Sequence, residues 1–223
     1  MNYARYAIYY TPPAGTPLAE FGAAWLGWDS ASGSEVPHPQ LPGFDVAKLT
    51  QTPRKYGFHG TVKPPFRLAP GTTADGLAEA TAKLCRSLAP VTLDSLTLTQ
   101  LGRFLALTPT GNANALAALA ARTVQELDSF RAAPTEAELA KRRAARLNPA
   151  QEAHLTRWGY PYVMDQFRFH LTLTGRLDNP APVAEALRPL IPRLEPYVIA
   201  SLTLLGEAPD GRFHALHSYA LTG

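Results

Sequence analysis

One word order occurs twice in this chain. Phe58-His59-Gly60-Thr61-Val62 returns as Phe169-His170-Leu171-Thr172-Leu173 at an offset of 111 residues. Ser95-Leu96-Thr97-Leu98 returns as Ser201-Leu202-Thr203-Leu204 at 106, and Gly102-Arg103-Phe104-Leu105-Ala106-Leu107 as Gly211-Arg212-Phe213-His214-Ala215-Leu216 at 109. A single match of this length is noise, but three in the same order at nearly constant offset describe a duplicated unit. The unit is a strand carrying FHxT, a helix, an SLTL strand and a GRFxAL strand, over approximately 58–109 and 169–221. Length alone, 223 residues, permits one large domain or two small ones. The repeat favours a single bilobal domain over 1–223, with the lobes intertwined at the N-terminal strand. A pseudo-twofold relation would bring equivalent strands together, with one histidine from each lobe at the junction.

Local signals supply the rest of the outline. Arg5–Tyr10 reads as a strand stopped by Pro12-Pro13. Thr16-Pro17 starts a helix to about Trp28, and Asp29 to about Pro53 reads as a loop dense in Ser, Gly and Pro. Phe58–Phe66 reads as a short strand ended by Pro64-Pro65. A helix over Thr72–Ala89 has Thr72 and Asp75 at capping-box spacing. Strands follow at Val91–Thr99 and Gly102–Thr108, then an amphipathic helix to about Arg131. Thr135 with Glu138, and Asn148-Pro149 with Gln151, open two further helices. A strand at Phe167–Gly175, a helix from Asn179-Pro180 and strands near Tyr197–Leu205 and Gly211–Leu221 complete the chain. Strands and helices alternate, with connections short enough for antiparallel neighbours.

The duplicated histidines carry the chemistry. Residues i and i+2 of a strand share a face, so His59 projects with Thr61 and His170 with Thr172. The opposite faces, Phe58, Gly60, Val62 and Phe169, Leu171, Leu173, are apolar and belong to the core. Two imidazoles and two hydroxyls on one surface suit a phosphodiester. Histidine titrates near neutral pH, so one ring can take a proton from the attacking water or hydroxyl while the other protonates the leaving oxygen. The threonine hydroxyls can donate to the non-bridging oxygens as charge develops there. This scheme needs neither metal nor cofactor.

Two HxTx motifs, one per lobe, resemble the signature of the two-histidine (2H) phosphoesterase superfamily. The stretches TPRKYGFHGTVKPPF and RWGYPYVMDQFRFHLTLTG are similar to its branch encoded with bacterial phosphonate-utilisation genes. The resemblance implies an α+β fold, a bilobal pseudo-twofold duplication with two antiparallel sheets facing a central cleft and helices outside. It also implies a phosphodiesterase or cyclic phosphodiesterase, with His59 and His170 catalytic and Thr61 and Thr172 holding phosphate. The substrate it implies is a phosphonate-derived or cyclic phosphate ester. The alternative is a nucleotide-binding or RNA-end module that uses the same cleft without turnover.

Other residues have two readings each. Lys63 continues the row of His59 and Thr61, as a substrate contact or a solvated strand-end lysine. Arg168 shares the face of His170, as an anion ligand or a salt-bridge partner. Tyr160 and Tyr162 flank Pro161 and form an aromatic wall for a base or sugar, or pack in the core. Tyr6 shares a face of the first strand with Tyr10 and has the same two readings. Lys141, Arg142, Arg143 and Arg146 make a basic helix, either a solvated face or an anion funnel over the cleft.

Composition narrows the partner class. A formal net charge of +3 allows an anionic substrate but lacks the footprint of a protein that wraps nucleic acid. The single cysteine, Cys85, excludes an internal disulfide and a cysteine metal cluster and points to a reducing compartment, the cytoplasm. MNYARYAIYYTPP has no long apolar core, so no secretory signal is expected. The longest uncharged run, Phe104–Ala121, contains Pro109, Gly111, Asn112 and Asn114 and is not expected to span a bilayer. No GxGxxG, GxxxxGK[ST], GxSxG, HExxH or CxxC pattern occurs. The expected partner is thus a small anionic phosphate ester.

Overall fold

A computed structural model describes residues 3–223. Its strands are β1 (Tyr6–Tyr10), β2 (Trp28–Asp29), β3 (Ser34–Glu35), β4 (Gly60–Phe66), β5 (Val91–Leu93), β6 (Ser95–Leu101), β7 (Phe104–Thr110), β8 (Leu171–Thr172), β9 (Tyr197–Ile199), β10 (Ser201–Glu207) and β11 (Phe213–Ala220). The α-helices are α1 (Pro17–Leu26), α2 (Val46–Arg54), α3 (Ala74–Arg86), α4 (Asn114–Glu126), α5 (Glu136–Arg143), α6 (Pro149–Trp158) and α7 (Pro180–Leu187). The class is α+β with antiparallel pairing throughout.

The sheets differ from the sequence expectation. The strands of both repeats join one seven-stranded sheet, in the order β11-β10-β1-β4-β8-β7-β6, rather than two facing sheets. The join is narrow: β4 meets β8 through Gly60 opposite Leu171. Those two residues are equivalents in the repeat, since Leu171 follows Gly60 by 111 positions. Beyond β8 the ladder frays, because Leu173 and Thr174 both donate to the Leu105 carbonyl and Gly175 turns away to the Leu49 carbonyl. The expected long strand at Phe167–Gly175 is therefore reduced to two paired residues.

Capping explains most helix starts. Thr16 accepts from the Ala19 amide with Pro17 following, and both expected capping boxes, Thr135/Glu138 and Asn148/Gln151, are formed. The cap of α3 is Thr73, whose hydroxyl takes the Gly76 amide, not Thr72. Helix α2 lies inside the segment read as a loop. Asp45 caps it, and Arg54 ties its end to the Leu26 and Ala47 carbonyls. Only the Leu26 contact is tertiary; the Asp45 cap is a local signal at the end of a segment dense in Ser, Gly and Pro.

One face of the sheet carries the main core. Tyr6, Ile8 and Tyr10 pack there with Trp25 of α1, Leu77 and Leu84 of α3, Leu116 and Leu119 of α4, and Leu187 of α7. The Trp25 indole donates to the Leu173 carbonyl at 2.8 Å, linking α1 to the end of β8. The other face of β1 holds a smaller cluster, Ala7 and Tyr9 with Leu205 and Phe213. No helix among the described residues is long and apolar enough to cross a membrane.

Candidate active site

His59 is set by the turn that leads from α2 into β4. Gly57 has φ 70°, a left-handed conformation that L side chains rarely adopt, and a Cβ there would lie 2.7 Å from the Ser30 hydroxyl. The turn aims the Gly57 carbonyl at His59 Nδ1, 2.9 Å away. His170 repeats the arrangement, with Nδ1 2.8 Å from the Arg168 carbonyl. A carbonyl only accepts, so in each neutral ring Nδ1 carries the proton and Nε2 keeps its lone pair. Thr61 Oγ1 lies 3.2 Å from His59 Nε2 and donates to it. The same tautomer is thus imposed twice, by the carbonyl two residues upstream.

The surroundings of the rings are aromatic and differ between the motifs. Tyr9 stacks on His59 with centroids 3.8 Å apart and planes 20° apart. Tyr56 lies 5.9 Å from the same ring, and Phe104 lies 5.8 Å from His170. Burial pushes the His59 imidazole down from 6.5 to about 4, against the Gly57 hydrogen bond, and the charge of nearby His170 adds to the depression. His59 is therefore neutral at pH 7. A neighbouring cavity of about 320 Å³ is lined by Thr61, His170, Arg168, Tyr160, Tyr162 and Gln166, among others. Thr172, half-buried on β8, follows His170 by two residues.

The His59 shift has a stability consequence. Between about pH 4 and 6.5 the unfolded chain holds a proton on His59 that the folded chain does not, so stability rises with pH across that window and is lost on acidification. Denaturant midpoints measured at pH 5 and pH 7 should differ less in His59→Gln than in the wild type. An equal difference in both proteins contradicts the depressed His59 pKa.

Two expected contacts are corrected. Lys63 does not share the face of His59 and Thr61. The register moves from Tyr9 opposite Thr61 to Ile8 opposite Lys63, two steps along β4 for one along β1. This bulge turns Lys63 to the Ile8 face, where it is 1% exposed. Its ammonium donates to the Val124 carbonyl at 3.1 Å and lies 3.5 Å from Asp128, and burial lowers its pKa to about 8 despite that carboxylate. Tyr6 also faces the core, with Ile8 and Tyr10. The tyrosine that reaches His59 is Tyr9, on the opposite face of the strand. Alternation within β1 separates Tyr9 from Tyr6, but only the pairing with β4 says which face meets the histidine. Arg168 and Tyr160 do line the cavity with His170. Arg168 is exposed, and its guanidinium donates to the Phe167 and Asp165 carbonyls. The other histidines have separate surroundings: His38 meets the Trp25 carbonyl, His154 meets Asp165, His214 lies edge-on to Trp28, and His217 lies 6.1 Å from the Tyr219 ring.

Among the described residues no group of three or more His, Cys, Asp or Glu side chains is arranged to hold a metal ion. The working groups of this surface are imidazoles, hydroxyls and guanidinium: proton acceptors, proton donors and anion ligands. Such groups are chemically able to exchange protons and to ligate an anion.

Residues 61–214 match the family described as a protein of unknown function, DUF1045, and the chain belongs to that family. The match contains His170 and both threonines, and His59 precedes it by two residues. The chain is 43% identical over 176 residues to "Ribose 1,5-bisphosphate phosphokinase PhnN" of Janthinobacterium sp. (strain Marseille), covering 78% of this chain and 39% of that protein. It is 35% identical over 177 residues to the protein of the same name from Laribacter hongkongensis (strain HLHK9), covering 78% and 41%. The chain thus spans about two-fifths of the length of the curated relatives it matches. Among solved structures, E. coli LigT complexed with 3'-AMP is similar over 100% of both chains, at 16% identity and a TM-score of 0.49.

Proposed function

We propose that this chain is a two-histidine phosphodiesterase that hydrolyses a small cyclic phosphate ester by paired acid–base catalysis without a metal. The observation that carries the reading is the doubled tautomer: each histidine of a repeated HxT motif gives Nδ1–H to the carbonyl two residues before it and keeps Nε2 for the substrate. The internal repeat gives the same reading a frame. On either side of the Gly60–Leu171 pair stand β4-β1-β10 and β8-β7-β6, each an HxT strand two places from an SLTL strand. A bilobal duplication about that pair would supply one histidine per lobe.

His59 begins neutral and acts as the base. When phosphate enters, the Thr61 hydroxyl turns from His59 Nε2 to a non-bridging oxygen and frees the lone pair. Nε2 then takes a proton from water as the water oxygen bonds to phosphorus. The bond from phosphorus to one ring oxygen breaks, and His170, which enters this step as the imidazolium with Nδ1–H still on the Arg168 carbonyl, delivers its Nε2 proton to that oxygen and is left neutral. The products are a phosphomonoester and a free hydroxyl. Thr61 and Thr172 hold the phosphoryl oxygens where charge accumulates.

The relatives' name concerns ribose 1,5-bisphosphate, and this chain contains no GxxxxGK[ST] loop. We therefore assign it not the kinase step but the opening of a sugar phosphate, with ribosyl 1,2-cyclic phosphates the leading candidates and a place in phosphonate metabolism. Nucleoside 2′,3′-cyclic phosphates are the competing substrates. Assaying both classes side by side, with product analysis and with EDTA present, tests the reading. Turnover that survives EDTA is expected. Tight binding with no turnover of any cyclic or linear diester overturns catalysis and leaves a nucleotide-binding or RNA-end module.

A further inference from the structure

A second cavity, of about 290 Å³, adjoins the histidine site and is lined by cations. Arg5, Lys55, Arg67, Arg131, Lys141 and Arg142 all contribute to its wall. Three of them are neutralised. Arg5 is held by both carboxylate oxygens of Glu207, Arg67 pairs with Glu138 at 3.1 Å, and Arg131 pairs with Asp128 at 2.8 Å. Lys55, Lys141 and Arg142 have no carboxylate partner within ion-pair distance among the described residues. Lys55 and Lys141 are exposed and Arg142 is half-buried. Like charges gathered around one concave space repel one another, and an anion entering it relieves the repulsion.

Two tyrosines join this cavity to the site. Tyr56 lines it and lies 5.9 Å from the His59 ring. The Arg142 guanidinium sits 4.6 Å over the ring of Tyr160, which lines the cavity of Thr61 and His170. The Lys55 ammonium lies 4.8 Å over the Tyr56 ring. Each aromatic face therefore holds one of the unpaired cations at the boundary between the two spaces.

We propose that this cavity is a subsite for a second phosphate on the same substrate, a phosphomonoester several bonds from the ester that is opened. This rests on the phosphodiesterase reading and adds a substrate class to it: a cyclic phosphodiester that also carries a dianionic terminal phosphate. Lys141 and Arg142 sit on α5, which also contributes Glu138, the single carboxylate of the wall, already committed to Arg67. The basic helix between the repeats is thus a binding element for a small dianion rather than a face for polymeric nucleic acid, whose backbone phosphates carry one charge each.

The test compares ribose 1,2-cyclic phosphate with its 5-phosphorylated form. For the wild type kcat/KM should favour the phosphorylated form about 10- to 100-fold, the range of one or two charge-assisted hydrogen bonds. In Lys141→Gln and in Lys55→Gln the ratio should fall towards one, and 0.5 M salt should reduce it in the wild type. A wild-type ratio near one, or an unchanged ratio in both variants, overturns the subsite. So does a stronger Lys141-dependent preference for oligonucleotides ending in a 2′,3′-cyclic phosphate over the mononucleotide. If neither sugar substrate is turned over, the ribosyl assignment fails, and the phosphodiesterase reading fails with it only if nucleoside 2′,3′-cyclic phosphates are not turned over either; calorimetry with ribose 5-phosphate still decides the subsite. Binding by the wild type that Lys141→Gln loses supports it, and no binding, or equal binding by both proteins, rejects it.

Discussion

Replacing His59 or His170 with alanine is expected to lower kcat/KM on a cyclic phosphate by about 10²- to 10⁴-fold each, the usual contribution of a positioned acid or base. The double variant should lose little more than the worse single one, because in the proposed mechanism the two groups serve the same step. The loss is expected without unfolding. Both rings are half-buried on the site face and belong to neither core cluster. His59→Ala does remove the stacking on Tyr9, so a small stability cost of about 0.5–1.5 kcal/mol accompanies it. His170 lies farther from its aromatic neighbour, and its alanine variant should melt closer to the wild type. Circular dichroism and a melting curve recorded beside the kinetics separate loss of chemistry from loss of fold. Full activity in the purified double variant refutes the mechanism.

Gly60→Ala is the second large effect, and it acts through packing. A Cβ at Gly60 would lie 2.3 Å from Cε2 and 2.4 Å from Cζ of Phe169. The Phe169 ring is 5% exposed and packed against Tyr10 and Phe167, so it has little room to retreat. Overpacking of this kind costs about 1–3 kcal/mol, a fall in melting temperature of roughly 2–4 °C per kcal/mol for a chain of this size. Gly60 is also the residue through which β4 meets β8, and His59 and His170 flank that contact in sequence. Moving the strands apart by about 1 Å separates the two imidazoles and, under the proposed mechanism, should cost about 10²-fold in rate. Adding Phe169→Leu to Gly60→Ala should restore part of both losses, and a double-mutant cycle measures the coupling. A Gly60→Ala protein as stable as the wild type contradicts the close approach at this crossing.

The candidate site was legible where its signal is short-range. His59 with Thr61 and His170 with Thr172 stand out because the pattern is two residues long and occurs twice. The caps at Thr16, Thr135 and Asn148 were legible for the same reason, since a cap is a hydrogen bond across three residues. Lys63 was misread because strand alternation assumes an unbroken ladder, and the extra residue in β4 between Thr61 and Lys63 puts Lys63 on the opposite face. Tyr9 was missed because its partner strand lies some fifty residues further along the chain.

Of this protein, the order of residues determines the local elements, the apolar faces and the two HxT motifs, because those depend on propensity, capping and periodicity over a few positions. Tertiary structure decides the rest. It joins the two repeats into one sheet at Gly60 and Leu171, gives His59 its depressed pKa through burial, and sends Lys63 into the core and Tyr9 to the imidazole. It also gathers Lys55, from the end of α2, with Lys141 and Arg142, from α5, around one cavity. Such facts depend on distances between segments remote in sequence, and a pattern read over neighbouring residues does not contain them.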